Sequence, residues 1–438
     1  MYGIIILNLR DMKENNKLNI LAYELVIILN VPNTIILFRK GTYMKETILT
    51  VKKEFVNKYK KGYPLILEEA LEKTIALKEE GQIITLIDEK KDLLGKGYYG
   101  KQNKGCGWIL SNSKNSNLDN KFFYDKLRNA FSKRMKFYRS KDTTAFRVFN
   151  GEGDGIGGLT IDYFDEYYLI TWYSKGIYEF KDSILKAIKA LVSFDGIYEK
   201  KRFEENGMVV DEDSYMCGRK VPEPLVVKEN GVNFAIYLND GAMVGVFLDQ
   251  KDVRKSIRDK YSRGKRVLNT FSYTGAFSMA AAKGGAITTS VDLASRSLEK
   301  TTENFTINNI DSAKHEIIVE DVFLYFKRAK KENLKFDVVI LDPPSFATSK
   351  DNRFSAAKDY KDLMKSAIDI TEDEGVIVAS TNCATFNMVK FKKFIDEAFK
   401  ECNKNYEILE EHKLPEDFAV TDKFPEGNYL KVVFVKVY

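Results

Sequence analysis

Arg266-Val-Leu-Asn-Thr-Phe-Ser-Tyr-Thr-Gly275 is the stretch whose reading decides the fold. A short apolar run ends in a turn that carries a glycine, and a helix can begin directly after it. Four more runs of the same kind follow: Thr288 to Asp292, Glu316 to Val319, Phe336 to Asp342 and Gly375 to Ser380. Segments able to form helices separate them, which predicts an α/β, doubly wound, mainly parallel sheet. Tyr429-Leu-Lys-Val-Val-Phe-Val435 is expected to close that sheet as an antiparallel edge.

In an open sheet of this type ligands bind beyond the carboxyl ends of the strands, so the residues at those ends matter most. The turn after the first strand lacks the G-x-G-x-x-G that would accommodate a pyrophosphate, and a cofactor without phosphates fits it better. Phe271, Tyr273, Thr274 and Gly275 are its expected cofactor contacts, with Gly275 where the backbone must approach a ligand. Asp292 ends the second strand, placed to accept hydrogen bonds from a ribose diol, and Asp321 follows the third, placed to meet an adenine amino group with Val322 or Phe323 against the ring. Each carboxylate alone could be a helix N-cap. Asp292 and Asp321 at successive strand ends, with Asp342 at the next, point to an adenosine site.

The fourth strand ends Leu341-Asp-Pro-Pro-Ser-Phe346. Asp-Pro-Pro followed by an aromatic suits methylation of an exocyclic amine, but here Ser345 intervenes and Phe346 stands one position late. The fifth strand ends Ser380-Thr-Asn-Cys383, which brings a thiol to the same rim as Asp342. Carbon 5 of cytosine is a weak nucleophile, and a thiolate adding to carbon 6 turns the ring into an enamine that can take a methyl group from a sulfonium donor. Cys383 is the expected nucleophile and needs a cation or helix N-terminus nearby to lower its pKa. The alternative is a small buried apolar residue, the usual role of a free cysteine. Cys402 is expected in the core, and Cys106 and Cys217 lie outside this domain.

Upstream, 438 residues suit three domains. Residues 1–43 form an extension whose apolar stretch, Leu18 to Phe38, is interrupted by Glu24, Pro32 and several asparagines, which argues against a membrane span or signal peptide. Residues 44–118 read as short strands with Gly95, Gly97 and Gly100 as bends of a small barrel. Residues 119–224 read as a small α+β domain opened by a basic helix from Asn120 to Arg139, and residues 225–438 as the catalytic domain with a leading hairpin. Residues 44–140 hold 21 Lys/Arg against 12 Asp/Glu, the balance of a front end that binds a polyanion or of a solvated surface. Four scattered cysteines and two histidines argue against a zinc site and for reduced thiols in a cytoplasmic protein.

Taken together, Asn269 to Gly275, Val291-Asp292, Leu341 to Phe346, Cys383, Phe424-Pro-Glu-Gly-Asn-Tyr-Leu-Lys431, Gly245-Val-Phe-Leu-Asp-Gln-Lys-Asp-Val-Arg254 and Gly151 to Asp162 resemble the PUA-domain-containing class I methyltransferases of large-subunit ribosomal RNA, whose best-known branch makes 5-methylcytidine. The resemblance covers almost everything after Met44. It implies an RNA-contacting PUA barrel, a central α+β domain and a Rossmann-like domain that uses S-adenosyl-L-methionine. By motif, Gly275, Asp292 and Asp321 would hold the cofactor, Asp342 would contact the base and Cys383 would attack it. Pro343, Pro344, Phe346, Asp249, Gln250 and Arg254 would line the mouth toward the RNA. The sequence departs from the family pattern at Asn382-Cys383-Ala384 and lacks the second cysteine of other RNA cytosine-C5 enzymes. Two other readings stay open: a guanine N-methyltransferase that needs no thiol, and an RNA-binding assembly factor with a vestigial pocket. Ribosomal RNA is the expected partner, with the target base single-stranded or flipped out of its helix. The oligomeric state is left open, a homodimer included.

Overall fold

The structure, a computed structural model, describes residues 27–31, 34–38, 46–74, 77–102, 104–205, 208–209, 214–239, 244–348 and 353–438. The expected N-terminal extension lies outside these apart from Ile27–Val31 and Thr34–Phe38, which pair antiparallel.

The first module is a five-stranded sheet in the order Glu46–Thr50, Ile83–Ile87, Leu93–Gln102, Gly105–Ser111, Leu65–Ile66. A bridge between Val51 and Leu71 brings its two edges together, so the sheet curls toward a barrel. The glycines expected as bends lie within one continuous strand, Leu93–Gln102, and work by close approach instead. A Cβ on Gly97 would stand 1.8 Å from the Trp108 carbonyl oxygen. Register shifts at Lys96/Gly97 and Tyr99/Gln102 supply the curvature.

The second module is a sheet of Tyr215–Gly218, Gly196–Lys201, Tyr167–Trp172, Leu159–Phe164 and Ala145–Asn150, in that order. The helices Asn120–Lys133 and Lys181–Leu191 pack together and share an apolar cluster with this sheet and the first module that runs from Leu49 through Phe131 to Ile197. The basic helix is shorter than expected. It ends at Lys133, and a single turn, Met135–Tyr138, follows. Arg134 leaves the helical conformation at the break and drives its guanidinium inward, 1% exposed, onto both Asp154 carboxylate oxygens at 2.8 and 2.7 Å and onto the Asp417 carbonyl. That arginine is part of the joint between modules and presents no charge to a polyanion.

The hairpin Leu225–Glu229 and Val232–Ile236 fills the space between the second module and the third, in a cluster with Phe164, Met279 and Phe305. The third module contains strands β1 Arg266–Thr270, β2 Ile287–Asp292, β3 Glu316–Val319, β4 Phe336–Leu341, β5 Thr371–Thr381, β6 Tyr406–His412 and β7 Lys431–Val437. Helices α1 Ala276–Lys283, α2 Arg296–Ile307, α3 Val322–Lys331, α4 Ala356–Ile370 and α5 Met388–Glu401 connect them. The sheet order is β3-β2-β1-β4-β5-β7-β6, with β1 to β5 parallel and β7 antiparallel to both its neighbours. The closing strand is therefore not an edge. Six of the seven residues of β7 are buried, while β6, whose residues alternate between half-buried and exposed, covers it on the outer side.

Candidate active site

At the carboxyl ends of β1 to β4 the chain encloses a cavity of about 470 Å³, the size of an ordinary cofactor site. The turn after β1 forms one wall, with Phe271 and Tyr273 held at positive φ, 55° and 51°. Asp292 anchors this turn: one carboxylate oxygen accepts from Tyr273 N at 2.8 Å and the other from Ala294 N at 2.9 Å. Each oxygen keeps a lone pair toward the cavity. Asp321 caps α3, but both backbone bonds, from Phe323 N and Leu324 N, fall on the same oxygen, Oδ1. Its Oδ2 is left over, beside Val322 and Phe323 in the cavity wall. The N-cap role and the ligand role are thus compatible in one residue. Ser272 Oγ and Gln250 Oε1, both in residues of this wall, are buried without a hydrogen-bond partner, which fits a site completed by a polar ligand.

Two expected contacts lie behind the turn instead. Thr274 donates its hydroxyl to the Gly245 carbonyl at 2.6 Å and does not line the cavity. Gly275 adopts φ 73°, and a Cβ there would strike Thr301 of α2 at 2.4 Å, so helix packing and not ligand approach demands the glycine.

Asp342, after β4, is the half-buried acid of the site. Its Oδ1 accepts from Ser380 Oγ at 2.7 Å and Gln250 Nε2 at 3.1 Å. Burial pushes its carboxyl up to about 6, and the charge of Asp249 adds to this against the Ser380 bond, Arg254 and Gln250. Asp249 is also raised by burial and accepts from the Tyr429 hydroxyl at 2.9 Å. Pro343 and Pro344 line the cofactor cavity. Arg254 reaches the same wall, but its guanidinium is committed to Glu229 at 2.7 and 2.6 Å and to the Phe247 carbonyl, which removes it from RNA contact. Phe346 is 71% exposed and stands outside the cavities, as its displaced position in the motif suggests.

A second cavity, of about 390 Å³, opens beside the first and shares Phe247, Asp249, Tyr273 and Asn382 with it. Its far wall belongs to the central module, where Arg147 holds Asp162 through two bonds at 2.5 and 3.2 Å. Asn382 therefore separates the two spaces, bridged to Ser345 at 2.6 Å. Cys383, the next residue, is 2% exposed, lines neither cavity, and has its sulfur 3.1 Å from Thr385 Oγ1. A cation does accompany it. Lys431 lies opposite Thr381 in the β5–β7 ladder and is buried, with its ammonium over the Phe386 ring. Burial lowers the Lys431 pKa and the neighbouring Cys383 thiol raises it. Sequence reasoning missed Ser272, Ser380, Asn382 and Tyr429; all four lie within quoted stretches, but none carried a signal of its own.

A sheet in this order, with carboxylates at the ends of β2 and β4 and at the cap of α3 around a phosphate-free cofactor cavity, defines a class I methyltransferase. Comparison with known proteins agrees. Residues 158–430 match the family model described as S-adenosylmethionine-dependent methyltransferase, and residues 49–112 match a PUA-like domain. The chain is 56% identical over 392 residues to the "Putative ribosomal RNA large subunit methyltransferase YwbD" of Bacillus subtilis, covering 89% of this chain and 99% of that one. It is 30% identical over 379 residues to the ribosomal RNA large subunit methyltransferase I of Pseudoalteromonas atlantica, covering 86% and 95%. Among solved structures, "SMU.776, a putative methyltransferase complexed with SAH" superimposes with a TM-score of 0.82 at 39% identity, covering 90% of this chain and all of that one. The chain belongs to the S-adenosylmethionine-dependent methyltransferase family and carries a PUA-like domain at its N-terminal side. Among the described residues no helix is long and apolar enough to cross a membrane.

Proposed function

We propose that this enzyme methylates large-subunit ribosomal RNA and forms 5-methylcytidine, with Cys383 as nucleophile. The relatives' names support the RNA, and the observation that carries the chemistry is Asp342, an acid lifted to about 6 in the wall of the cofactor cavity and coupled by charge to Asp249, which lines both cavities. The division of labour follows the modules: residues 44–118 contact RNA, 119–224 wall the target pocket, and 225–438 bind cofactor and react. S-adenosyl-L-methionine supplies an electrophilic methyl group, held by Asp292 at the ribose, Asp321 at the adenine and the Phe271 to Tyr273 turn. The target cytosine enters the second cavity against Asn382, Asp249 and Tyr429. Thiolate addition at carbon 6 builds negative charge on N3, which a protonated Asp342 neutralises by proton delivery. Carbon 5 is then nucleophilic; after it is methylated its proton passes to solvent water, elimination of the Cys383 thiolate restores the ring, and N3 returns its proton to Asp342. Lys431 stabilises the thiolate. To react, the Cys383 side chain must rotate from Thr385 toward the cavity.

That same bond to Thr385, and the 2% exposure of Cys383, favour a second reading, guanine N-methylation without a thiol. Labelled S-adenosylmethionine and total ribosomal RNA, with nucleosides analysed by mass spectrometry, separate the two. The cytosine mechanism gives labelled 5-methylcytidine that disappears in Cys383→Ala. Undiminished methylguanosine in that variant overturns it.

A further inference from the structure

Where the three modules meet, a cleft of about 910 Å³ continues from the target cavity, sharing Arg147, Tyr173 and Tyr429 with it. Of the twelve buried side-chain polar atoms without a hydrogen-bond partner among the described residues, four belong to this cleft: Gln102 Nε2, Trp108 Nε1, Thr160 Oγ1 and Glu426 Oε2. Trp108 and Thr160 are more than nine-tenths buried. Unmatched polar groups are rare in folded interiors, and four around one cleft mark a place that a polar ligand completes. The four come from the PUA-like module, the central module and the segment before β7, so the cleft exists only in the assembled chain.

We propose that this cleft seats a second nucleotide of the RNA, a guanosine flanking the target, and reads it by its Watson–Crick edge. The inference rests on the chain acting on RNA. Guanine alone among the four bases presents N1–H and N2–H₂ side by side with an acceptor, O6, next to them. The Glu426 carboxylate answers the two donors. Its Oε1 is steadied by the Tyr63 hydroxyl at 3.4 Å, and Oε2 is the unpartnered atom. Gln102 and Trp108 supply N–H groups for O6 and Thr160 a hydroxyl. Tyr173, 44% exposed, offers a face on which the base can stack. Lys101, Lys104 and Lys175 stand exposed in the cleft wall, where the phosphates of an extended strand would pass. A nucleotide held here adjoins the one in the target cavity, because the two spaces are continuous. The subsite therefore sets which cytosine is presented to Asp342.

The test is equilibrium binding of the full chain, without cofactor, to fluorescent single-stranded decauridines carrying one central guanosine, inosine, adenosine or cytidine. Guanosine should bind at least about fivefold more tightly than adenosine or cytidine, the lower end of the range expected of a bidentate contact. Inosine, which lacks the N2 amino group, should lose most of that advantage, and this arm needs no variant. Glu426→Gln should abolish the guanosine preference. Equal affinity for all four RNAs, or a guanosine preference that inosine shares in full, overturns the proposal. A preference present in an enzyme that forms no 5-methylcytidine sinks the cytosine reading alone, and failure to bind any of the RNAs sinks both.

Discussion

The cofactor cavity and the three-module cleft are built in opposite ways. The cavity comes almost wholly from the third module, and two of its carboxylates, Asp292 and Asp321, are already tied to backbone N–H groups through Tyr273, Ala294, Phe323 and Leu324. Its geometry is fixed before any ligand arrives. The cleft takes its walls from all three modules and leaves polar atoms on each without partners. A preorganised site suits a cofactor that is the same in every turnover, and a site assembled from separate modules suits a long polymer whose position is set by several contacts at once.

The contrast can be broken at several points. Asp342→Asn should lower kcat/KM by about 10²- to 10⁴-fold, the usual worth of a positioned proton donor, while S-adenosylhomocysteine affinity falls far less. Methylation kinetics beside calorimetry would show it, and an equal loss in both would make Asp342 a cofactor ligand only. Arg134→Met removes one half of a buried ion pair within the central module, together with its bonds to the Asp417 carbonyl, which tie that module to the segment before β7. It should cost about 3 to 5 kcal/mol in chemical denaturation, because Asp154 is left charged and buried. If the loss is that large, the cleft depends on the joint. Asp292→Ala should weaken S-adenosylhomocysteine by about ten- to a hundredfold, the loss of a charged hydrogen-bond acceptor, with RNA binding unchanged. The smallest effect is on pH. The carboxyl of Asp342 is raised, so its protonated form is favoured in the folded chain and is lost as pH rises through about 6. The rate term that needs the proton falls over the same window. Asp249→Asn removes a charge that holds this pKa up, and should move the limb of the kcat/KM profile to lower pH.

What could be read from the sequence follows the same division. The strand ends were legible, since short apolar runs locate β1 to β5 and the carboxylates at Asp292, Asp321 and Asp342 fall directly after strands. The Asp321 N-cap alternative was right as geometry and compatible with the site, because one oxygen does both backbone bonds. Gly275 and Thr274 do not line the cavity, and a glycine needed for positive φ and for contact with Thr301 looks the same in sequence as one needed for a ligand. The commitment of Arg254 and Arg134 to buried partners was not legible, because linear charge does not reveal a carboxylate such as Glu229 or Asp154. The strand Tyr406–His412 was missed altogether; its charged, half-exposed alternation carries little apolar signal, and recognising it would have moved β7 off the edge. The cleft was illegible, since Gln102, Thr160 and Glu426 are brought together only by tertiary packing.

The place of β7 between β5 and β6 has a consequence for the order in which the chain assembles. In the sheet β6 has no neighbour except β7, so it cannot dock alone, and the two must add to β5 together as an antiparallel pair. The pair lies at one end of the sheet, with β6 half-exposed along its length. Tyr429 and Lys431 arrive with that pair, and with them the wall beside Asp249 and the charge beside Cys383. Under mild destabilisation the pair would leave first. The molecule would pass through a form that still grips its cofactor and has already forgotten its substrate, and hydrogen exchange should find the amides of 431–437 opening before those of 266–270.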